Sequence, residues 1–161
     1  MDALLLGLGN DIKRDDVVGL EVTDALADRF DDDIDVETYT SGRLMLIQEL
    51  SGYDQVFLVD AIKTDGGTPG EYYEFSPSEV EPGDDSGGLA THNVGLGTLQ
   101  TLGEAMGQSM PEITIFAIEV ENPFEYGEGM TDAVSEAVPT LIQEIGDDIE
   151  ATLDASVAAS A

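Results

Sequence analysis

Three largely apolar runs dominate the pattern of hydrophobic and polar positions. They span residues 2–8, 53–59 and 113–120, and each run is followed by a glycine or an acidic residue. Strands with little polar interruption are typical of a parallel sheet that is covered on both faces. Shorter segments at 34–40 and 71–75 predict two further strands.

Segments with apolar residues at helical spacing separate these strands. The clearest one covers residues 15–30, where Val18, Val22 and Leu26 share one face. The order β-α-β-α-β-β-α-β-α predicts an α/β fold, in which a mostly parallel five-stranded sheet lies between two helical layers (a three-layer αβα architecture). The other predicted helices cover residues 43–50 and 95–107 and a segment that begins near residue 131.

The domain organisation is simple. We expect a single α/β domain over residues 1–152, followed by a frayed tail of small residues over 153–161. Residues 76–91 are rich in Gly, Pro and Asp and predict a long loop, and long loops in small domains are usually functional. A second loop is predicted at 121–129.

The charge is extreme: 35 Asp and Glu residues oppose 5 Lys and Arg residues, for a formal net charge of −30. The acidic residues are spread along the chain, which argues against a single acidic tail. This composition favours a protein of a halophilic organism, and a nucleic-acid mimic or a binder of basic proteins is the alternative. Binding to nucleic acid itself is disfavoured, because phosphate contacts need Lys and Arg.

Other function classes are excluded by what the sequence lacks. The chain has no cysteine, so it has no disulfide, thiolate nucleophile or zinc–thiolate site. No basic leader precedes an apolar segment, and no apolar run approaches the ~20 residues that span a bilayer. We therefore expect a soluble cytoplasmic protein.

The first predicted strand ends in a glycine turn, Gly7-Leu8-Gly9-Asn10. The turn resembles the start of a dinucleotide-binding fingerprint, but Ile12 occupies the position of the third glycine. The loop is also acidic where a pyrophosphate would bind, and the chain has no phosphate-binding lysine motif. Nucleotide binding is therefore disfavoured.

Several acidic residues and one histidine are candidates for a site. Asp15 and Asp16 precede the first helix, where a structural role as helix caps is the simpler interpretation. Asp60 directly follows an apolar strand, and His92 is the only histidine. Each residue alone could be structural. Together, carboxylates that follow strands one and three and an imidazole that enters a helix can form a three-ligand site for a divalent transition metal.

The sequence resembles the hydrogenase maturation proteases from residue 1 to about 150. These endopeptidases trim the C-terminal extension from the large subunit of nickel–iron hydrogenases. The resemblance is carried by the glycine turn with Asp15, Asp16 and Gly19, by Val59-Asp60-Ala61, and by His92-Asn93-Val94-Gly95-Leu96.

The resemblance implies a phosphorylase/hydrolase-like α/β fold and a metal site formed by Asp16, Asp60 and His92. The metal is expected to be nickel that the substrate supplies, and another divalent metal could occupy the free protein. The expected partner is the hydrogenase large-subunit precursor, and the protein is expected to be a monomer. No nucleic acid or membrane is expected as a partner.

One segment departs from the family pattern. Residues 38–42 read Thr-Tyr-Thr-Ser-Gly, whereas the family usually has an acidic residue and a Gly-Gly-Thr-x-Gly turn. The family resemblance implies that this loop helps to recognise the substrate. Two alternatives therefore remain: a non-proteolytic metal-binding or chaperone-like relative, and a metal-dependent hydrolase of another substrate.

Overall fold

The computed structural model describes residues 2–30, 32–40, 50–76, 104–107 and 110–160. Within these ranges, five strands form one sheet in the order β2-β1-β3-β5-β4. The pairs β1–β2, β1–β3 and β3–β5 are parallel, whereas β4 runs antiparallel to β5. The predicted mostly parallel α/β sheet is therefore confirmed. The strands are β1 (Ala3–Leu8), β2 (Asp35–Tyr39), β3 (Gln55–Ile62), β4 (Tyr72–Phe75) and β5 (Glu112–Glu119).

The helices differ from the prediction at their ends. The helix predicted over 15–30 begins as a 3-10 turn (Arg14–Val17) and continues as α1 (Val18–Phe30). The last helix, α2 (Asp132–Ser160), contains Pro139 and includes residues that the sequence predicts to be a frayed tail. Alanine and leucine are good helix formers, which explains this extension. None of the helices described is long and apolar enough to cross a membrane.

Two predicted helices and one loop lie mostly outside the described residues. Of the helix predicted over 43–50, only Leu50 is described, and of the helix over 95–107 only the last four residues are. The loop predicted over 76–91 is described only at Ser76.

Both faces of the sheet are buried, as the uninterrupted apolar runs predict. Along each strand, alternate side chains point to opposite faces. One face packs against α1 and α2, and its strand residues are Ala3, Leu5, Phe57, Val59, Ala61, Phe116 and Ile118. The other face is lined by Leu4, Leu6, Leu8, Val56, Leu58, Ile113, Ile115 and Ala117, together with Leu50.

The carboxyl ends of β1 and β3 are the point at which the strand order reverses. From β1 the chain crosses to β2 on one side, whereas from β3 it continues to β4 and β5, which both lie on the other side. Such a reversal opens a crevice in which α/β proteins bind their ligands. Gly19 of α1 lies directly over this point, because a Cβ there would overlap the carbonyl oxygens of Leu8 and Val59. The missing side chain lets the start of α1 press onto both strand ends.

Candidate functional site

Asp16 is buried at the carboxyl edge of the sheet, with 5% of its surface exposed. Its backbone N–H donates to the carbonyl oxygen of Lys13 at 2.8 Å, and its own carbonyl oxygen accepts from Asn10 N at 3.3 Å. A Cβ on Gly9 would overlap that carbonyl oxygen. The glycine turn after β1 therefore allows the loop to fold back over the 3-10 turn and bury Asp16.

Asp60 is completely buried and lies within β3. The sequence predicts that the strand ends at Val59, directly before this residue, and that prediction is wrong by three residues. The strand continues to Ile62 because it stays paired with β5 through the pair Ile62–Glu119. The Asp60 Oδ1 atom accepts a hydrogen bond from Ala61 N at 2.8 Å. Alternation along β3 directs the side chain to the sheet face opposite α1 and α2.

Gly19 lies close to both Asp16 and Asp60. A Cβ at this position would lie 3.2 Å from the Cα atom of Asp60, and Gly19 follows Asp16 by one turn of helix. The 3-10 turn itself packs against β3. Asp16 and Asp60 therefore belong to the same edge of the sheet, at the crevice between β1 and β3.

His92 lies outside the described residues. Within the part of the chain that is described, no group of three or more His, Asp or Glu side chains is arranged to hold a metal ion. The three-residue set Asp16, Asp60 and His92 therefore stays a prediction.

Asp15 has a different role from its neighbour. Its side chain is completely buried and accepts hydrogen bonds from Glu121 N at 3.0 Å, Asn122 N at 2.7 Å and Thr131 N at 2.6 Å. The Thr131 hydroxyl donates to it as well, at 2.8 Å. The sequence suggests that Asp15 caps the first helix. Its side chain instead accepts hydrogen bonds from a loop that is distant in sequence. Asp15 fastens the segment 121–131 to the 3-10 turn.

Glu119 is a buried carboxylate that the sequence analysis missed. Only 1% of its surface is exposed, and it accepts hydrogen bonds from Thr64 and from the Tyr73 hydroxyl. Burial and this bond to Glu119 raise the pKa of Tyr73, so the hydroxyl stays a donor. The signal available in the sequence was that Glu119 is the only charged residue in the largely apolar run 113–120.

The loop after β1 (residues 10–14) is joined to the loop over residues 121–129. Gly127 N donates to the carbonyl oxygen of Ile12 at 2.8 Å. Arg14 Nε donates to the carbonyl oxygen of Gly129, at the end of the second loop, at 3.2 Å. Together with the bonds of Asp15, these contacts hold the two loops in one arrangement beside Asp16.

The joined loops expose large apolar side chains. The exposed fractions are 55% for Ile12, 54% for Phe124 and 72% for Tyr126. The Lys13 ammonium group lies 5.3 Å from the centre of the Tyr126 ring, within the range of a cation–π contact. Exposed apolar residues grouped beside a candidate site are typical of a surface that meets another macromolecule.

Comparison with known proteins gives a consistent result. The family model for hydrogenase maturation proteases matches residues 21–148, a range that includes Asp60 and His92 and begins just after Asp16. The chain is 22% identical over 147 residues to the hydrogenase 2 maturation protease of Escherichia coli (strain K12), covering 90% of this chain and 88% of that protein.

Solved structures share the fold. The hydrogenase maturating endopeptidase HybD from E. coli has a TM-score of 0.74 at 20% identity, covering 97% of this chain and 94% of that chain. The [NiFe] hydrogenase maturation protease HybD from Thermococcus kodakarensis has a TM-score of 0.68 at 24% identity, covering 92% and 99%. At these identities the similarity establishes the architecture of the chain.

Proposed function

The chain belongs to the hydrogenase maturation proteases, since the family model spans most of its length, and we propose its specific reaction and metal from this premise. The protein is the endopeptidase that removes the C-terminal extension of a nickel-loaded hydrogenase large-subunit precursor. The observation that carries this proposal is the burial of Asp16 and Asp60 at the strand-order reversal of a fold that this family shares.

The proposed ligands of the substrate's nickel are Asp16, Asp60 and His92. Two carboxylates and one imidazole suit a divalent transition metal, and three protein ligands leave positions for substrate groups and water. When bound there, the metal would supply Lewis-acid chemistry for the scissile carbonyl and for a water nucleophile, and neither Ser nor Cys would be needed as a nucleophile. The same donors are able to hold another divalent metal in the free protein.

The surface beside these residues supports a protein substrate. Ile12, Phe124 and Tyr126 project from loops that are already fixed by hydrogen bonds. Loops that are ordered before binding lose little backbone conformational freedom when a partner docks. A polypeptide whose end enters the crevice near Asp16 would contact these side chains on its way.

The direct test is cleavage of the precursor. A hydrogenase large-subunit precursor is incubated with this protein in molar KCl, with and without prior nickel loading, and the products are weighed by mass spectrometry. We expect a shorter product from the nickel-loaded precursor only. Cleavage of both forms would reject recognition of nickel but not proteolysis, whereas tight binding without cleavage would favour a non-proteolytic relative.

We further propose that the protein is a cytoplasmic, salt-adapted monomer. With a net charge of −30, self-repulsion opposes the folded state in dilute buffer. In the described part of the chain, Arg14 and Arg29 form ion pairs with carboxylates, and Arg29 bonds to both Asp147 and Glu150. Most of the acidic surface therefore depends on dissolved cations for charge screening.

Salt should accordingly raise the melting temperature. The Debye length falls from about 10 Å at 0.1 M salt to about 3 Å at 1 M, which weakens repulsion across the acidic surface. We expect circular dichroism to show unfolding in dilute buffer and a melting temperature that rises steeply with KCl. Sucrose at equal osmolality is the control. A melting temperature that is independent of KCl would contradict salt adaptation.

A further inference from the structure

We propose that Glu119 is a positioning residue that fixes the loop over residues 63–70 and, with it, one wall of the crevice beside Asp60. This inference rests on the proposed function and concerns the binding of the precursor, not the chemistry of cleavage.

The position of Glu119 places it close to the candidate site. In the register of β3 and β5, Asp60 pairs with Ala117 and Ile62 pairs with Glu119. Glu119 thus lies one strand across from Asp60 and two residues further along, roughly 8 Å away between Cα atoms from ordinary sheet spacings. Alternation directs both side chains to the same face, and both residues are buried.

The hydrogen bonds of Glu119 run to the loop that follows β3. Thr64 N donates to Oε2 at 2.8 Å, the Thr64 hydroxyl donates to Oε1, and the Tyr73 hydroxyl donates to Oε1 at 2.9 Å. At the other end of the loop, Gly70 N donates to the backbone carbonyl oxygen of Glu119 at 2.8 Å. One residue of β5 therefore holds both ends of the loop.

The middle of the loop is shaped to the same carboxylate. A Cβ on Gly67 would overlap Oε1 of Glu119, so the loop backbone packs directly onto the carboxylate group. Burying a carboxylate among neutral partners costs free energy, and an apolar side chain would fill the same space at lower cost. An apolar residue at this position could not form the hydrogen bonds that Glu119 forms with Thr64 and Tyr73.

The consequence for the enzyme is specific. The loop begins soon after Asp60, and its tip, Asp65 and Gly66, is exposed at the carboxyl edge of the sheet. If the loop detaches from Glu119, the wall beside Asp60 changes shape while the strand that carries Asp60 stays paired on both sides. The precursor should then bind less tightly, and the bound precursor should be cleaved at the same rate.

The test compares Glu119→Leu with Glu119→Gln. The hydroxyls of Thr64 and Tyr73 can each donate or accept, so a glutamine amide keeps bonds to both of them, whereas leucine keeps none. We expect Glu119→Leu to raise KM for precursor cleavage roughly tenfold with kcat within about twofold of wild type. Glu119→Gln should restore KM to near the wild-type value. Glu112→Leu, at the exposed start of β5, is the matched control.

Amide hydrogen exchange tests the contact between Glu119 and the loop without an activity assay. In the free protein, exchange at Thr64 and Gly70 should be faster in Glu119→Leu than in wild type and Glu119→Gln, with the β5 amides unchanged. Unchanged exchange or unchanged KM would overturn the proposal, as would a fall in kcat alone. If Glu119→Leu does not fold, Tyr73→Phe, which removes one of the bonds to Glu119, is used in its place. KM and amide exchange are then measured for that variant and decide the proposal in the same way. A wild-type protein that cleaves nothing would reject the proposed function, while the exchange data still test Glu119.

Discussion

Substitution of Asp16 or Asp60 by asparagine is expected to abolish precursor cleavage while the far-ultraviolet circular dichroism stays unchanged. Asparagine has nearly the same size as aspartate and can still accept a hydrogen bond, for example from Ala61 N at position 60. It lacks the negative charge that binds a metal cation. Loss of one ligand should reduce the cleavage rate at least a hundredfold, and His92→Ala should have the same effect.

Mass spectrometry of the products over time measures this loss. Asp24→Asn is the matched control, because Asp24 is an exposed acidic residue on α1, away from the crevice. Its cleavage rate should equal that of wild type. Undiminished cleavage by Asp16→Asn and Asp60→Asn would show that the two carboxylates do not bind the substrate's metal.

Substitution of Asp15 by alanine should instead destabilise the fold. The change leaves the backbone N–H groups of Glu121, Asn122 and Thr131 without their charged acceptor. Buried donors that lose a charged partner each cost on the order of 1–3 kcal/mol, so we expect a loss of about 3–5 kcal/mol of unfolding free energy. For a domain of this size, that lowers the melting temperature by roughly 10 °C.

Thermal unfolding in molar KCl, followed by circular dichroism, tests this expectation. Asp16→Asn should melt within a few degrees of wild type. The Asp15 substitution would then lower stability, whereas the Asp16 substitution would abolish cleavage without lowering stability. The assignment would be reversed if Asp15→Ala cleaved nothing at an unchanged melting temperature while Asp16→Asn melted early.

Much of the fold follows from the sequence because its cause is local. The apolar runs at 2–8, 53–59 and 113–120 mark strands buried on both faces, and such strands occur in parallel sheets. The errors lie at element ends. The extra length of β3 comes from its pairing with β5, and the 3-10 turn before α1 depends on contact with Gly9. Neither contact follows from the spacing of hydrophobic residues.

The roles of the acidic residues divide in the same way. The sequence by itself determined that acidic residues lie near the carboxyl ends of the first and third strands, and that a glycine turn follows the first strand. Only the tertiary structure decided that Asp15 binds a loop more than 100 residues away and that Glu119 holds Thr64. Periodicity and turn residues act within a few positions of the chain. The partner of a buried carboxylate is decided by which distant segments pack around it.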